Sequence, residues 1–265
     1  MEQFIFNRPH SSERLHYITK VLLLSVVVWT LFGTGHAINI EIYKFLYGST
    51  HFFIKEEFHL FFIRFLIVIL GTVGLFKEWQ KISLLLISAL FFIYQHFHYE
   101  VWPVAWNFNT HLNFFLIAVT VFQFSPKKEK HASATIAFFY LFVGFLYFQA
   151  GMSKVLVSGV SWITEGTTLS QFTLLQGTTF GKWLVQHQYV PQIMSGSALF
   201  IELIILPWII FNRGYQYLFI LLTSLHIGIY AVMGISFWHL IILFPFLFTP
   251  LPLILENKLK ESKQE

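Results

Sequence analysis

Long unbroken apolar runs, separated by short polar breaks, dominate the chain. Eight stand out: Val21 to Ile40, Phe58 to Phe76, Ile82 to Phe97, Leu112 to Phe124, Ala132 to Met152, Met194 to Phe211, Tyr215 to Ala231 and Ile235 to Leu255. None alternates polar and apolar positions as a barrel strand would, so each predicts a helix. A hydrocarbon core of about 30 Å takes roughly 20 helical residues. The third and fourth runs fall short of that and are expected to tilt, to sit in a thinned bilayer or to re-enter. Tyr99, Trp102 and Trp106, in the break between them, are residue types that anchor at membrane interfaces. The predicted fold is all-α, a polytopic transmembrane helix bundle of about eight spans forming one membrane domain over residues 1–265.

The basic residues alternate in step with these runs. Arg8, Arg14, Lys20, Lys77, Lys81, Lys127, Lys128, Lys130, Arg213, Lys258, Lys260 and Lys263 fall on the side of the N-terminus, and only Lys44, Lys55, Lys154 and Lys182 on the other. Arg64 lies inside a run. Because cytoplasmic loops carry the excess of Lys and Arg, both termini are expected on the cytoplasmic side. Of the 12 His, all but His10, His16 and His131 then fall in outer loops or outer helix ends, so polar chemistry collects in the outer half. The longest connection, Gly151 to Pro191, is also outside, and a loop of that length is usually functional.

Composition agrees. Hydrophobic residues make up 56 % of the chain and charged ones 11 %, against about 25 % charged in soluble domains. A soluble enzyme, a nucleic-acid module and a disordered tail are thereby excluded, and the net charge of +4 forms no single basic face. With no Cys, thiolate metal sites, disulfides and Cys nucleophiles are excluded as well. The first run has Arg8, Arg14 and Lys20 ahead of it but is too long for a cleaved signal segment, so a retained helix is expected. A multi-pass protein of a bacterial cell membrane is the expected setting, with lipids as partners and no nucleic acid.

Ionisable groups within spans cost about 2.5 to 3.5 kcal/mol at a helix centre on insertion scales and therefore mark candidate sites. Here they are Arg64, Glu202, His226 and His239, with Lys154 just beyond the fifth run. Arg64 lies near a helix end and can snorkel. Glu202, between Ile201 and Leu203, needs a partner, and His226, Arg64 and Lys154 are the candidates. A desolvated Lys154 would be usable as a base if no carboxylate sat close enough to oppose it. His96, His98, Glu100 and His111 have a loose metal-ligand look, but residues two apart on a helix face different ways, so no metal site is expected. Pro191, Pro207 and Pro245 leave a transporter open, although the two halves show no symmetry.

Ordered polar residues in this background carry a resemblance. The run Tyr147 to Lys154 (Tyr-Phe-Gln-Ala-Gly-Met-Ser-Lys), then Trp162, then Glu165-Gly166-Thr167, resembles the horizontally transferred transmembrane (HTTM) domain, the membrane domain shared with vitamin K-dependent gamma-carboxylase. Glu202, His226-Ile227-Gly228, Gly234 to Phe237 and the segment Trp106 to His111 extend the likeness over about residues 102–250. It implies that Lys154 is the base toward a reduced, vitamin K-like quinone and that His111 serves the carboxylation step. Glu202 and His226 complete the implied catalytic group, with Trp162, Glu165 and His239 as cofactor contacts. The large lumenal region of the carboxylases is missing, and the chain is also similar to the sporulation-delaying protein B group, linked to maturation of a secreted peptide. The expected function is therefore a Lys-based outward-facing site acting on a quinone-like or lipid-like molecule or a peptide. The competing expectation is a non-enzymatic membrane partner in secreted-peptide maturation or immunity.

Overall fold

The computed structural model describes residues 11–32, 57–97, 110–126, 128–211, 215–235 and 237–249, together with 251 and 254. Arg8, the aromatic anchors Tyr99, Trp102 and Trp106, the ligand-like His98 and Glu100, and the C-terminal lysines lie outside the described residues. All regular structure among the described residues is helical. Each of the eight apolar runs contains a helix among the described residues: α1 (Ser11–Phe32), α2 (Glu57–Val73), α3 (Gln80–Phe97), α4 (Thr110–Gln123), α5 (Lys128–Ser158), α9 (Val190–Phe211), α10 (Tyr215–Met233) and α11 (Trp238–Phe248). Three short helices that the apolar pattern does not reveal occupy the long connection: α6 (Ser161–Thr164), α7 (Thr167–Gln176) and α8 (Thr179–Leu184).

Three stretches, Ser11–Phe32, Glu129–Ser158 and Val190–Phe211, are long and apolar enough to cross a membrane. At 1.5 Å per residue, 22 residues cover about 33 Å. The other five apolar helices are shorter. Pro207 and Pro245 lie inside α9 and α11 without ending them. Each removes only one rung of the hydrogen-bond ladder, and in an apolar helix the packing around it holds the rest.

The chain packs into two compact units. The first comprises Met1–Ala137, Trp238–Leu243 and Pro252–Glu265. In it α1, α2, α3 and α4 pack as neighbours, α1 against α2 and α4, and α3 against the same two. Its core is Leu15, Ile18, Leu22, Ile67, Leu84, Ile87, Phe91 and Phe115, with Trp29 edge-on to Phe91 and Tyr94. Arg64 spends its charge structurally. Its Nη2 donates to the Thr30 carbonyl at 2.8 Å, one of the last-turn carbonyls of α1 that has no intrahelical partner. The opposite end of α1 is capped across the chain, since the Ser11 and Ser12 amides donate to the two Glu129 carboxylate oxygens at 2.6 and 3.1 Å. Ser133 Oγ adds a bond of 2.7 Å to Ser11 Oγ.

The second unit comprises Phe138–Phe237 and Phe244–Leu251. Here α9 packs against α6, α7 and α10, and α10 packs against α7 and α8. Tyr140 donates to the Leu247 carbonyl at 2.7 Å. Thr178 ties α8 to the end of α10: its Oγ1 donates to the Ala231 carbonyl at 2.6 Å and accepts from the Gly181 amide at 2.9 Å, while its own amide donates to the Val232 carbonyl at 3.0 Å.

Candidate site in the second unit

The site is built on one stripe of α5. Gly144, Tyr147, Gly151 and Lys154 follow one another at intervals of three or four residues and so share a helix face. The glycines let α9 come close. A Cβ on Gly144 would lie 3.0 Å from Leu206 Cδ1, and one on Gly151 would lie 2.9 Å from Leu203 Cδ2 and 3.1 Å from Glu202 Cβ. Small residues at such crossings are how membrane helices pack, because lipid supplies no hydrophobic drive between them.

Lys154 is inside α5, one turn before its end, rather than just beyond the helix as the apolar run suggests. Val155, Leu156 and Val157 continue the helix until Gly159, whose positive φ of 58° closes it with an amide donated to the Val155 carbonyl at 2.9 Å. From this position the Lys154 ammonium donates to both carboxylate oxygens of Glu202. The Lys154 side chain keeps 25 % exposure and that of Glu202 10 %. The expected partner question is thereby resolved: of His226, Arg64 and Lys154, the acid takes the lysine. The condition placed on a free base is not met, because the carboxylate is in direct contact with the lysine nitrogen.

Trp162 completes the surroundings of the pair, with its ring centroid 5.4 Å from the Lys154 Nζ. Two close approaches press this part of the chain against the first turns of α9. Ile163 Cγ2 would lie 3.4 Å from a Cβ at Gly196, and Gly166, at φ 61°, sits where a Cβ would meet Pro191 and the Gln192 amide. Trp162 Nε1, Gln192 Oε1 and Ser195 Oγ are buried and make no hydrogen bond to another protein group among the described residues. Ser195 and Glu202 are seven residues apart on the buried face of α9. Glu165 is exposed, its backbone amide closing α6 on the Ser161 carbonyl.

One turn-pair further along the stripe, the Tyr147 hydroxyl is hydrogen-bonded to His226 Nε2. His226 is buried and lies against the rings of Phe237 at 4.5 Å and Phe244 at 5.7 Å. Tyr147 stands in the motif that carries the resemblance, yet no role was expected of it; its spacing of seven from Lys154 is the signal that finds it.

His111 and His239 belong to the first unit. They are buried and stacked on each other, centroids 5.8 Å apart and planes within 15°, with Phe115 edge-on to His111. Of the expected residues, then, the structure joins Lys154 with Glu202 and Trp162, and joins His111 with His239. Chemically, the first group can hold and pass a proton in water-poor surroundings, and the second is a pair of imidazoles. Compared with known protein families, curated proteins and solved structures, the chain matches none.

Proposed function

We propose that the chain is a multi-pass integral membrane protein of the HTTM type, of about eight spans with both termini on the cytoplasmic side of a bacterial cell membrane, and that the Lys154–Glu202 pair is its proton-handling centre. The observation that carries this reading is the two-oxygen contact of the Lys154 ammonium with Glu202 beside the Trp162 ring. To act as a base, Lys154 first passes its proton to Glu202, which turns the ion pair into a neutral amine and a neutral acid. In surroundings that penalise charge, this exchange is cheaper than freeing either ion alone. The amine then accepts a proton from a hydroxyl or a peptide group of the bound molecule. Tyr147 and His226 extend the polar line behind Glu202, and the His111–His239 pair would serve a separate step.

The unbonded buried atoms of Trp162 and of the first turns of α9 suit a flat, hydroxyl-bearing molecule such as a reduced quinone. Trp162 Nε1 donates, Gln192 Oε1 accepts and Ser195 Oγ does either, which matches hydroxyls that also do both. Such a molecule would supply an acidic hydroxyl next to the lysine. The second reading, a non-enzymatic partner of a secreted peptide, is favoured by the self-contained pair itself, since an ammonium engaged by both carboxylate oxygens stabilises helix contact with no ligand.

Mass spectrometry of small molecules extracted with the protein in mild detergent separates the two. A flat, isoprenoid-bearing or quinone-like molecule is expected with the wild type and lost from Lys154→Ala and Trp162→Ala, both still accumulating in the membrane. A wild type that carries no such molecule rejects the proton-handling reading.

A further inference from the structure

The connection between α5 and α9, residues 159–189, has the composition of neither a water-borne loop nor a span. Of its 31 residues only Glu165 and Lys182 are charged and five are aromatic, whereas a soluble stretch of that length would carry about eight charges. Its helices have 4, 10 and 6 residues, so none exceeds about 15 Å, half of a hydrocarbon core. Even so, it turns large apolar groups outward. Leu174, Leu175, Phe180, Trp183 and Tyr189 are exposed, Leu175 by 79 % and Trp183 by 54 %.

On α8 the Phe180 and Trp183 rings stack at 6.0 Å, with Lys182 between them in sequence and His187 edge-on to Trp183 at 4.5 Å. An exposed aromatic pair with one lysine has the make-up of a segment resting at the headgroup boundary. The apolar surface is continuous in sequence with that of the flanking long helices, through exposed Leu156 and Val157 at the end of α5 and exposed Ile193 and Phe200 on α9. Since α5 and α9 are successive crossing helices, both ends of the connection lie on one side of the bilayer. The segment is also held to the bundle, because Thr178 bonds to the end of α10 and Gly181 packs on the Val232 carbonyl with no room for a Cβ.

We propose that residues 159–189 lie in the membrane interface, with Leu174, Leu175, Phe180 and Trp183 in the acyl–headgroup boundary of the lipid bilayer. The connection is a half-submerged cover beside Lys154, not a loop in water. This placement holds whether or not Lys154 acts as a base.

Because the chain has no Cys, single cysteines at Leu175, Phe180 and Trp183, with Gln188→Cys as reference, can each carry a nitroxide in phosphatidylcholine–phosphatidylglycerol vesicles. The expected result is a collision ratio of oxygen to a water-soluble nickel chelate above one at 175, 180 and 183 and below one at 188. A ratio below one at all four positions overturns the proposal. Spin–spin broadening that disappears on dilution with unlabelled protein overturns it too, and assigns the surface to a second copy of the chain. Should the labelled variants fail to reconstitute, the unmodified protein serves: lipids brominated near the headgroup quench its Trp fluorescence, and the quenched fraction falls in Trp183→Phe. An unchanged quenched fraction in Trp183→Phe overturns the proposal as well.

Discussion

Gly151 of α5 lies directly against Glu202 of α9, with only 3.1 Å between the Glu202 Cβ and the place a Cβ on Gly151 would take. The backbone of one helix thus rests on the stem of the other helix's buried acid, and the distance from Gly151 to Lys154 sets the lysine opposite the carboxylate. Packing and charge are fixed by the same stripe.

Gly151→Val is therefore expected to cost about 1 to 3 kcal/mol, as overpacking of a close crossing does, and to separate Lys154 from Glu202. Thermal unfolding in detergent should show a lower midpoint for the variant. A midpoint equal to the wild type would mean the helices are not in contact at this point.

The pair gives a cycle. Removing one partner, as in Lys154→Met or Glu202→Leu, leaves a buried charge unmatched and is expected to destabilise by the lower end of about 3 to 5 kcal/mol, since a quarter of the Lys154 side chain is exposed. The double variant is expected to recover most of that loss while holding no bound small molecule. Denaturant titration of the four proteins reads the coupling, and additive single losses would show that the two side chains do not interact.

The Thr178 hydroxyl makes two bonds at one turn, to the Ala231 carbonyl and from the Gly181 amide, so Thr178→Val is expected to cost about 1 to 2 kcal/mol, in the range of a lost helix cap. Gly181→Ala should cost more, because its Cβ has no space beside the Val232 carbonyl. Limited proteolysis within residues 177–189 would register both as faster cleavage, and wild-type cleavage rates would contradict the docking of α8.

Much of this was readable beforehand, and what was not has a physical reason. The apolar runs announce themselves as helices because they do not alternate polar and apolar positions, and three of the helices are long and apolar enough to cross a membrane. That Glu202 needs a partner is equally plain from its neighbours. Which partner it takes is not, because the choice depends on the rotation of two helices whose contact residues are 48 positions apart, and rotation follows from Gly144 and Gly151 rather than from any apolar count. The short helices α6 to α8 escape a periodicity reading because four to ten residues give too few turns. His111 and His239 look like members of the lysine group in sequence, yet the stacked pair they form is set by folding of the first unit.

Glu129 predicts an effect far from the candidate chemistry. Its carboxylate receives two amides at the start of α1, where an anion also meets the positive end of the helix dipole. Glu129→Gln keeps one acceptor but loses the charge, and should lower stability by about 1 kcal/mol. Unfolding curves that coincide with the wild type would show that the cap contributes nothing.

Pro207, five residues past Glu202, has no N–H to offer the Leu203 carbonyl. That oxygen keeps its lone pairs at the level of the buried acid, so the main chain itself belongs to the polar inventory there. Replacing Pro207 by Ala would supply the missing donor and close the ladder, so this one ring decides whether the main chain beside the acid stays open to a donor.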